Sequence, residues 1–303
     1  MPRPSPAPYF AFLSCSLIWG STFLFIGLGN EVWPPMWALS LRLALSMVLL
    51  GAVLLVTRTA FPKGRALKYA IGYGIFDFAV SLPLLYWGET SVPSGLAAVL
   101  YSTAPIWSML MERAFGMEKI DLRRLGAALV ALGGVGIIFW REIAFGQSPL
   151  AILSIIAAVI TGTFSVILLR KGPQQSSIGA NFAGTLVAVP ICAAISFLAR
   201  EPHPLPAALS PWIPVVYLAV VGSIAFLIFA WLINQWKVSS AAFVAVIIPI
   251  IAVILGSLVR HEKFAPGSLV GAAIVLVATA FVIGAEARKP HAAPPEVASP
   301  SGR

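Results

Sequence analysis

The stretch SLIWGSTFLFIGLG, residues 16–29, is apolar except for one short turn, Trp19 to Thr22, that holds an indole, a glycine and two hydroxyls. It belongs to an apolar segment, Tyr9–Leu28, that matches the roughly 20 residues needed to cross the hydrocarbon core of a bilayer. The polar turn then lies near mid-bilayer, where a hydroxyl without a partner costs free energy. The stretch therefore predicts a membrane helix whose centre forms either a packing seam or the lining of a cavity.

The rest of the chain continues this apolar pattern, which excludes a soluble protein. Hydrophobic residues make up 59% of the 303 residues and charged residues 10%, against about 25% charged residues in soluble domains. Buried strands of a soluble α/β protein would form shorter apolar runs separated by amphipathic helices. We therefore predict an all-α integral membrane protein with ten transmembrane helices. The predicted spans are Tyr9–Leu28, Pro35–Val56, Leu67–Trp87, Pro93–Met111, Leu122–Trp140, Pro149–Leu169, Ile178–Ala199, Trp212–Ile233, Ser239–Val259 and Gly267–Ala285.

The two ends of the chain carry further predictions. The first apolar segment follows a single positive charge, Arg3, and is longer than the apolar region of a signal peptide. We interpret it as a retained span. Residues 286–303 are rich in Pro, Ala and Ser and are predicted to form a disordered cytoplasmic tail.

The basic residues are distributed unevenly between the loops. If the N-terminus is cytoplasmic and all ten segments cross, fifteen Lys and Arg residues lie on the cytoplasmic side. The opposite side then holds four, Arg141, Arg200, Arg260 and Lys263. This asymmetry follows the positive-inside rule, so we predict a multi-pass protein of the inner (plasma) membrane with both termini in the cytoplasm. Topology explains the net charge of +9, and we expect no nucleic acid among the partners.

The chain also contains an internal repeat. When the sequence is shifted by 144 positions, the fourth span aligns with the ninth without a gap, and several residues are identical in the two spans. We therefore predict two five-helix repeats, residues 1–145 and 146–285. Because five is odd, the second repeat would enter the membrane from the opposite side, as in many secondary transporters. The coinciding residues are Ala97-Ala98 with Ala241-Ala242, Pro105 with Pro249, and Glu118-Lys119 with Glu262-Lys263.

An ordered set of motifs resembles a known family. WGSTF at 19–23, PPMWALSLRLAL at 34–45, STAPIW at 102–107 and RRLGAALVALGGVGIIF at 123–139 are similar to those of EamA-type proteins. This family belongs to the drug/metabolite transporter (DMT) superfamily. The resemblance covers about residues 9–285 and implies a ten-helix inner-membrane carrier with two inverted repeats. It also implies export of small metabolites, with amino acids or related compounds as the expected substrates.

These observations favour a secondary transporter that works by alternating access, with proton coupling and facilitated diffusion both open. The expected partners are a small-molecule substrate and the lipid bilayer, with protons and a second copy of the chain, as a homodimer, as further candidates. An intramembrane enzyme and a non-transporting scaffold are the alternatives. Asp77 has no acidic partner at its depth, the histidines lack metal-ligand spacing, and no nucleotide-binding loop occurs. We therefore expect no catalytic residue, cofactor or metal site.

The fourth span has one polar stripe. The spacings of four, three and four place the following residues on one helix face: Tyr101, Pro105, Ser108 and Glu112. Pro105 has no backbone N–H, and Pro249 is its counterpart in the second repeat. We interpret the two prolines either as hinges for a rocking motion or as static kinks that ease packing. Substrate contacts are expected mainly on the first repeat, because the matching face of the ninth span is apolar.

Two ionisable residues lie deep in the predicted spans, Arg42 and Asp77. Arg42 is nine residues past Trp33, and Asp77 is nine residues before Tyr86, so both lie about 13 Å below the predicted outer face. We predict that they form a buried ion pair. The pair either holds two helices together or opens when a substrate or a proton competes for Asp77.

The sequence thus predicts a substrate cavity at mid-membrane. Tyr86 and Glu89 are placed at the outer mouth and interpreted as interface anchors, with a role in the rim of the cavity as the alternative. The predicted cavity residues are Trp19, Thr22, Tyr73, Asp77, Tyr101, Trp107 and Ser108.

Overall fold

A computed structural model describes residues 6–138, 148–260 and 266–287 of the chain. All regular elements in these ranges are helical, and no strand occurs within them. The predicted tail starts at residue 286, whereas the last helix continues to Ala287, and residues 288–303 lie outside the described ranges. The all-helical class expected from the apolar segments is confirmed for the described chain.

The first half of the chain, through residue 138, forms five helical passes, of which the third and fourth are interrupted. The third pass comprises α3, a π-helical turn and α4, and the fourth comprises α5 and α6. The elements are α1 (Ala7–Asn30), α2 (Pro35–Val56), α3 (Gly64–Gly74), π1 (Ile75–Ser81), α4 (Leu82–Gly88), α5 (Ser94–Tyr101), α6 (Ala104–Ala114) and α7 (Leu122–Ile138).

The second half repeats this order of passes. Its third pass is one continuous helix, α10, and its fourth pass starts with a single helical turn, α11. The elements are α8 (Pro149–Lys171), α9 (Ser177–Leu198), α10 (Trp212–Gln235), α11 (Val238–Ala241), α12 (Val244–Arg260) and α13 (Pro266–Ala287).

The packing of the helices has an approximate twofold pattern. Helix α2 lies against α9 and α7 against α13, so equivalent helices meet in both pairs. Helix α1 contacts α10 and α12, and α8 makes the counterpart contacts with π1 and α4 and with α5 and α6. Exchanging the halves leaves this pattern unchanged, as in an isologous interface. The packing agrees with the duplication seen in the sequence.

The fourth pass of each half is broken near the predicted hinge prolines, but at different distances from them. In the first half the break is at Ser102 and Thr103, and Pro105 occupies the first turn of α6. In the second half the break is at residues 242–243, and Pro249 lies inside α12. Relative to the prolines, the second break lies about one helical turn earlier. The structure thus places a backbone interruption beside Pro105 and a proline within a continuous helix at Pro249.

Seven passes within the described ranges are long and apolar enough to cross a membrane. The other three predicted spans correspond to α7, to α11 with α12, and to α13, whose described apolar parts are shorter, so the number ten stays a prediction. Large apolar side chains are exposed on the outer helix faces, among them Phe10, Leu17 and Leu153. Exposed apolar surface on this scale is typical of contact with lipid.

Glycines allow the closest helix contacts. A Cβ atom built on Gly74 of α3 would lie 2.2 Å from the Cα atom of Gly184 on α9. A Cβ atom built on Gly20 of α1 would lie 2.6 Å from the Cβ atom of Ile251 on α12. Side chains larger than hydrogen do not fit at such crossings, as is common at helix interfaces in membranes.

Candidate functional site

A cavity of about 120 Å³ lies between the two halves. Its polar side chains come mainly from the first half, and Thr163 is the polar side chain that the second half adds among the described lining residues. The lining residues are Trp19, Thr22, Phe23, Ile26, Arg42, Asp77, Ser81, Leu82, Leu85, Tyr101, Ala104, Ser108, Val159, Gly162, Thr163, Val166, Phe226, Phe229, Val238, Ala242, Val244, Ala245 and Ile248.

The polar turn of α1 serves both packing and the cavity. Gly20 lets α1 approach α12, whereas Trp19 and Thr22 line the cavity. The Thr22 hydroxyl donates to the Trp19 carbonyl at 2.8 Å, and the Ser21 hydroxyl lies 2.6 Å from the Tyr217 hydroxyl of α10. The hydroxyls are thus satisfied by the preceding turn and by a neighbouring helix, as mid-membrane polar groups require. Gly20 therefore belongs to a packing seam, whereas Trp19 and Thr22 belong to the cavity lining.

Aromatic rings form one wall of the cavity. The Trp19 indole lies 4.8 Å from the Phe229 ring and 5.6 Å from the Phe226 ring, measured between centroids. The Phe23 and Tyr101 rings meet edge to face at 5.3 Å. Aromatic pairs at these distances stabilise the fold beyond the free energy gained from burying their surface area. The wall gives the cavity a rigid apolar side.

Arg42 is a buried cation that reaches the cavity from α2. Its side chain is 4% exposed, and its Nη1 atom donates to the Tyr86 hydroxyl at 3.0 Å. A Cβ atom at Gly222 of α10 would lie 2.9 Å from Nη2, so glycine is needed there to leave room for the guanidinium. A buried guanidinium requires hydrogen-bond partners or an anion.

Asp77 reaches the same cavity from π1. Its carboxyl group interacts with the Ser165 hydroxyl of α8 and the Tyr73 hydroxyl of α3, and at longer range with the Arg42 guanidinium. At the end of the π-helical turn the Leu82 N–H donates to the Asp77 carbonyl, five residues earlier. Pro83 follows and has no N–H that could bond the Ala79 carbonyl.

The structure differs from the sequence prediction in the arrangement of the two charges. Arg42 and Asp77 line one cavity, but among the described residues the guanidinium bonds Tyr86 and the expected direct ion pair is not formed. The prediction assumed a regular helix through the third span. The π-helical turn changes the rotation of the helix and directs Asp77 toward α8, against which π1 packs. The two opposite charges therefore remain separate groups on the cavity wall.

The structure brings together five of the seven predicted cavity residues. Trp19, Thr22, Asp77, Tyr101 and Ser108 line the cavity. The other two lie outside it. The Tyr73 hydroxyl donates to Asn181 Oδ1 at 3.3 Å behind Asp77, and Trp107 is half-buried on another face of α6.

Polar contacts link neighbouring passes beside two of the lining residues, Val238 and Phe23. Near the start of α11, the Val238 N–H donates to Glu112 Oε1 at 2.9 Å, and Lys237 forms a salt bridge with Glu118. At the opposite end the Ser94 hydroxyl lies between Glu89 Oε2 and the Phe23 carbonyl. These contacts join the fourth pass of the first half to the start of α11 at one end and to α1 at the other.

Sequence reasoning left the role of two outer residues open and missed two residues of the cavity wall. Tyr86 and Glu89 were interpreted as interface anchors, with a place in the rim of the cavity as the alternative, and their side chains are 2% and 7% exposed. The end of α4 packs closely against α8, where Gly88 contacts Ile155. Phe226 and Phe229 lie in an apolar run whose one nearby polar residue is Ser223, so little in the sequence distinguished them from lipid-facing residues.

The described residues contain no group of three or more His, Cys, Asp and Glu side chains that could hold a metal ion. Cys15 and Cys192 are buried free thiols. The chemistry that this site offers is therefore binding by one cation, one carboxyl group, hydroxyls and aromatic rings.

Comparison with known families gives two matches within this chain. The EamA-like transporter family matches residues 7–140 and again residues 149–284. Each matched range falls within one of the two repeats predicted from the sequence. The duplication is thus a duplication of one family domain.

Individual relatives cover most of the chain. YedA of Escherichia coli strain K12, which is named an inner membrane transporter, is 30% identical over 298 residues, covering 94% of each chain. A protein of Streptantibioticus cattleyicolor is 25% identical over 262 residues, covering 84% of this chain and 86% of that protein. The latter is named a probable terminal-alkyne amino-acid exporter.

One solved protein structure has the same fold. It superposes with a TM-score of 0.75 at 17% sequence identity and covers 94% of this chain and 98% of its own. At this identity the likeness concerns the arrangement of the helices alone.

Proposed function

Because the chain belongs to the EamA-like transporter family, we propose that it is a secondary transporter that exports an amino acid or a related small organic metabolite across the cytoplasmic membrane. Transport proceeds by alternating access of the central cavity to the two sides. The family and the named relatives are transporters and not enzymes, and the chain is a multi-pass membrane protein.

The observation that carries the substrate class is the pair of separated charges. Arg42 and Asp77 face one cavity without an ion pair between them, and aromatic rings form the wall beside them. A zwitterionic amino acid matches this arrangement, since its carboxylate suits a guanidinium and its ammonium suits a carboxylate. An apolar or aromatic side chain suits the wall of Trp19, Phe226 and Phe229.

The proposed motion uses the two interruptions of the fourth passes. The break at Ser102 and Thr103 and the proline inside α12 leave backbone carbonyls without their helical partners. Such positions bend more easily than a regular helix, which supports Pro105 and Pro249 as hinges. The uneven distribution of basic residues supports inverted halves with both termini in the cytoplasm.

Counterflow in proteoliposomes tests the proposed function. Vesicles that hold the purified protein and unlabelled L-phenylalanine are expected to accumulate external radiolabelled L-phenylalanine, because a carrier exchanges substrate across the membrane. Ala245→Phe puts a phenyl ring into a cavity of about 120 Å³ and should reduce this exchange to the level of empty vesicles.

The matched control is Val130→Phe, which adds the same ring to a side chain that is 56% exposed on α7. It should exchange like the unmodified protein. If neither L-phenylalanine nor a panel of other apolar amino acids shows counterflow with folded protein, the proposed substrate class is wrong. Equal exchange by the Ala245→Phe variant would show that the cavity is not the transport route.

A further inference from the structure

Glu89 is a buried acid that takes no part in the proposed binding of substrate in the cavity. It follows the last residue of α4 and is 7% exposed. Its Oε2 atom lies 2.8 Å from the Ser94 hydroxyl, and its Oε1 atom has no hydrogen-bond partner among the described residues. A carboxylate with an unpaired oxygen is costly at such burial, whereas a neutral carboxyl group is far less so.

The hydrogen bonds around Ser94 fit the protonated acid. The Ser94 oxygen is 3.0 Å from the Phe23 carbonyl as well as 2.8 Å from Glu89 Oε2, and a serine hydroxyl carries one hydrogen. Both contacts are hydrogen bonds at once only if Glu89 donates to Ser94 and Ser94 donates to Phe23. If Glu89 is ionised, Ser94 turns its hydrogen to the carboxylate and the link to Phe23 is lost.

This hydrogen-bond chain joins three elements at one end of the cavity. Glu89 follows α4, Ser94 begins α5, and Phe23 belongs to α1 and also lines the cavity. A Cβ atom at Gly27 would lie 2.6 Å from the Ser94 oxygen, so α1 and α5 are in close contact here. One hydrogen bond between these helices, from Ser94 to the Phe23 carbonyl, thus depends on the proton.

We propose that Glu89 is a proton-binding site on the predicted outer side, and that the bound proton holds α5 closed against α1. Loss of the proton to the solution leaves a buried anion whose Oε1 atom lacks a donor, and α5 separates from α1 so that water reaches the carboxylate. The cavity then opens to the predicted outer side. The role of this opening in export depends on the proposed function, whereas the proton-dependent separation itself does not.

Among the residues that the structure describes, no cation makes a direct contact with Glu89. The titratable groups that interact with it are Tyr86 on its own helix and Tyr101 on α5, and Arg42 of α2 contacts the Tyr86 hydroxyl instead. Helix α8 meets the end of α4 with apolar atoms and a backbone carbonyl, and Glu31 lies exposed just beyond α1. Burial raises the pKa of Glu89 well above its usual range, and the hydrogen bond from Ser94 offsets part of this rise.

A first readout is the pH dependence of thermal stability. Since the folded protein binds the Glu89 proton more tightly than the unfolded chain, unfolding releases the proton at pH values above the ordinary carboxyl pKa of 4.5. The contribution of Glu89 to stability is therefore present at low pH and is lost as the pH rises above that value. Glu89→Gln should make the decline of the melting temperature with pH shallower, measured by thermal unfolding in detergent from pH 5 to 9.

The deciding experiment measures the separation of α1 and α5 without any substrate. Spin labels replace Val32, just beyond α1, and Pro93, just before α5, both of which are exposed. The distance between them is measured by pulsed electron paramagnetic resonance in lipid nanodiscs from pH 5 to 9. In the otherwise unmodified protein we expect a short distance at low pH and a growing population at a longer distance as the pH rises.

Glu89→Gln keeps the shape of the side chain and its donor to Ser94, so it should hold the short distance at every pH. The matched control is Glu201→Gln, because Glu201 lies at the same end and its oxygens accept from Met36 N–H, Trp37 N–H and the Ser196 hydroxyl. It should respond to pH like the unmodified protein. A pH-independent distance in the unmodified protein, or a normal pH response in the Glu89→Gln variant, would overturn the proposal. Failure of the counterflow assay would instead count against the amino-acid carrier and leave this result unchanged.

Discussion

Replacement of Arg42 by glutamine is expected to remove the preference of the protein for a ligand carboxylate. The unmodified protein should bind L-phenylalanine more tightly than phenethylamine, which lacks the carboxylate, because the guanidinium lines the cavity. A hydrogen bond to a charged group contributes about 1.5–3 kcal/mol, which corresponds to roughly 10- to 150-fold in affinity. In the Arg42→Gln variant the two ligands should bind alike, measured by competition with radiolabelled L-phenylalanine on purified protein.

The same competition assay tests Asp77 with a ligand that has the carboxylate and lacks the ammonium group. Asp77→Asn should remove the preference for L-phenylalanine over 3-phenylpropionate, which lacks the ammonium, while it keeps the preference over phenethylamine. This crossed pattern separates recognition from stability, since a variant that is merely destabilised loses affinity for all three ligands equally.

Arg124→Gln serves as the control for the removal of a buried arginine. Arg124 is 4% exposed, lies at the start of α7 outside the cavity, and pairs with Asp121 at 3.3 Å. Its replacement should change stability and leave the order of the three ligands as it is. If Arg42→Gln also leaves that order unchanged, Arg42 stabilises the fold and does not bind the substrate carboxylate.

The second large effect concerns the crossing of α3 and α9. Gly74→Ala places a methyl group 2.2 Å from the Cα atom and 2.6 Å from the carbonyl oxygen of Gly184, so the two backbones must move apart. Overpacking of this kind costs typically about 1–3 kcal/mol, and a clash with backbone lies at the upper end because no side chain can rotate away. We expect a large loss of melting temperature and of folded yield, measured by size-exclusion chromatography after heating.

Gly126→Ala is the matched control within the same protein. A Cβ atom at Gly126 of α7 meets no other atom within 4 Å. Since alanine is favoured over glycine in helices by about 1 kcal/mol, this variant should be as stable as the unmodified protein or more so. Equal stability of the Gly74→Ala and Gly126→Ala variants would contradict the close crossing.

The sequence predicted much of the site because polar residues inside apolar segments are conspicuous. Trp19, Thr22, Asp77, Tyr101 and Ser108 stood out in this way, and the structure places them around one cavity. Phe226 and Phe229 gave no such signal, since an aromatic residue facing a cavity and one facing lipid look alike in sequence. The position of Glu89 near the end of a span left it open between an interface anchor and a residue of the cavity rim, and only the structure shows that it is buried.

By itself the sequence determined the class of the protein, the duplication and the family, since each depends on composition, segment length or ordered motifs. These properties accumulate along the chain and need no knowledge of which helices meet. Tertiary structure alone decided which partners the buried charges have. The π-helical turn at residues 75–81 directs Asp77 away from Arg42, and the crossing at Gly27 brings Ser94 between Glu89 and Phe23. Helix rotation and helix contact fix the partners of a polar group, and neither is encoded in its distance along the chain.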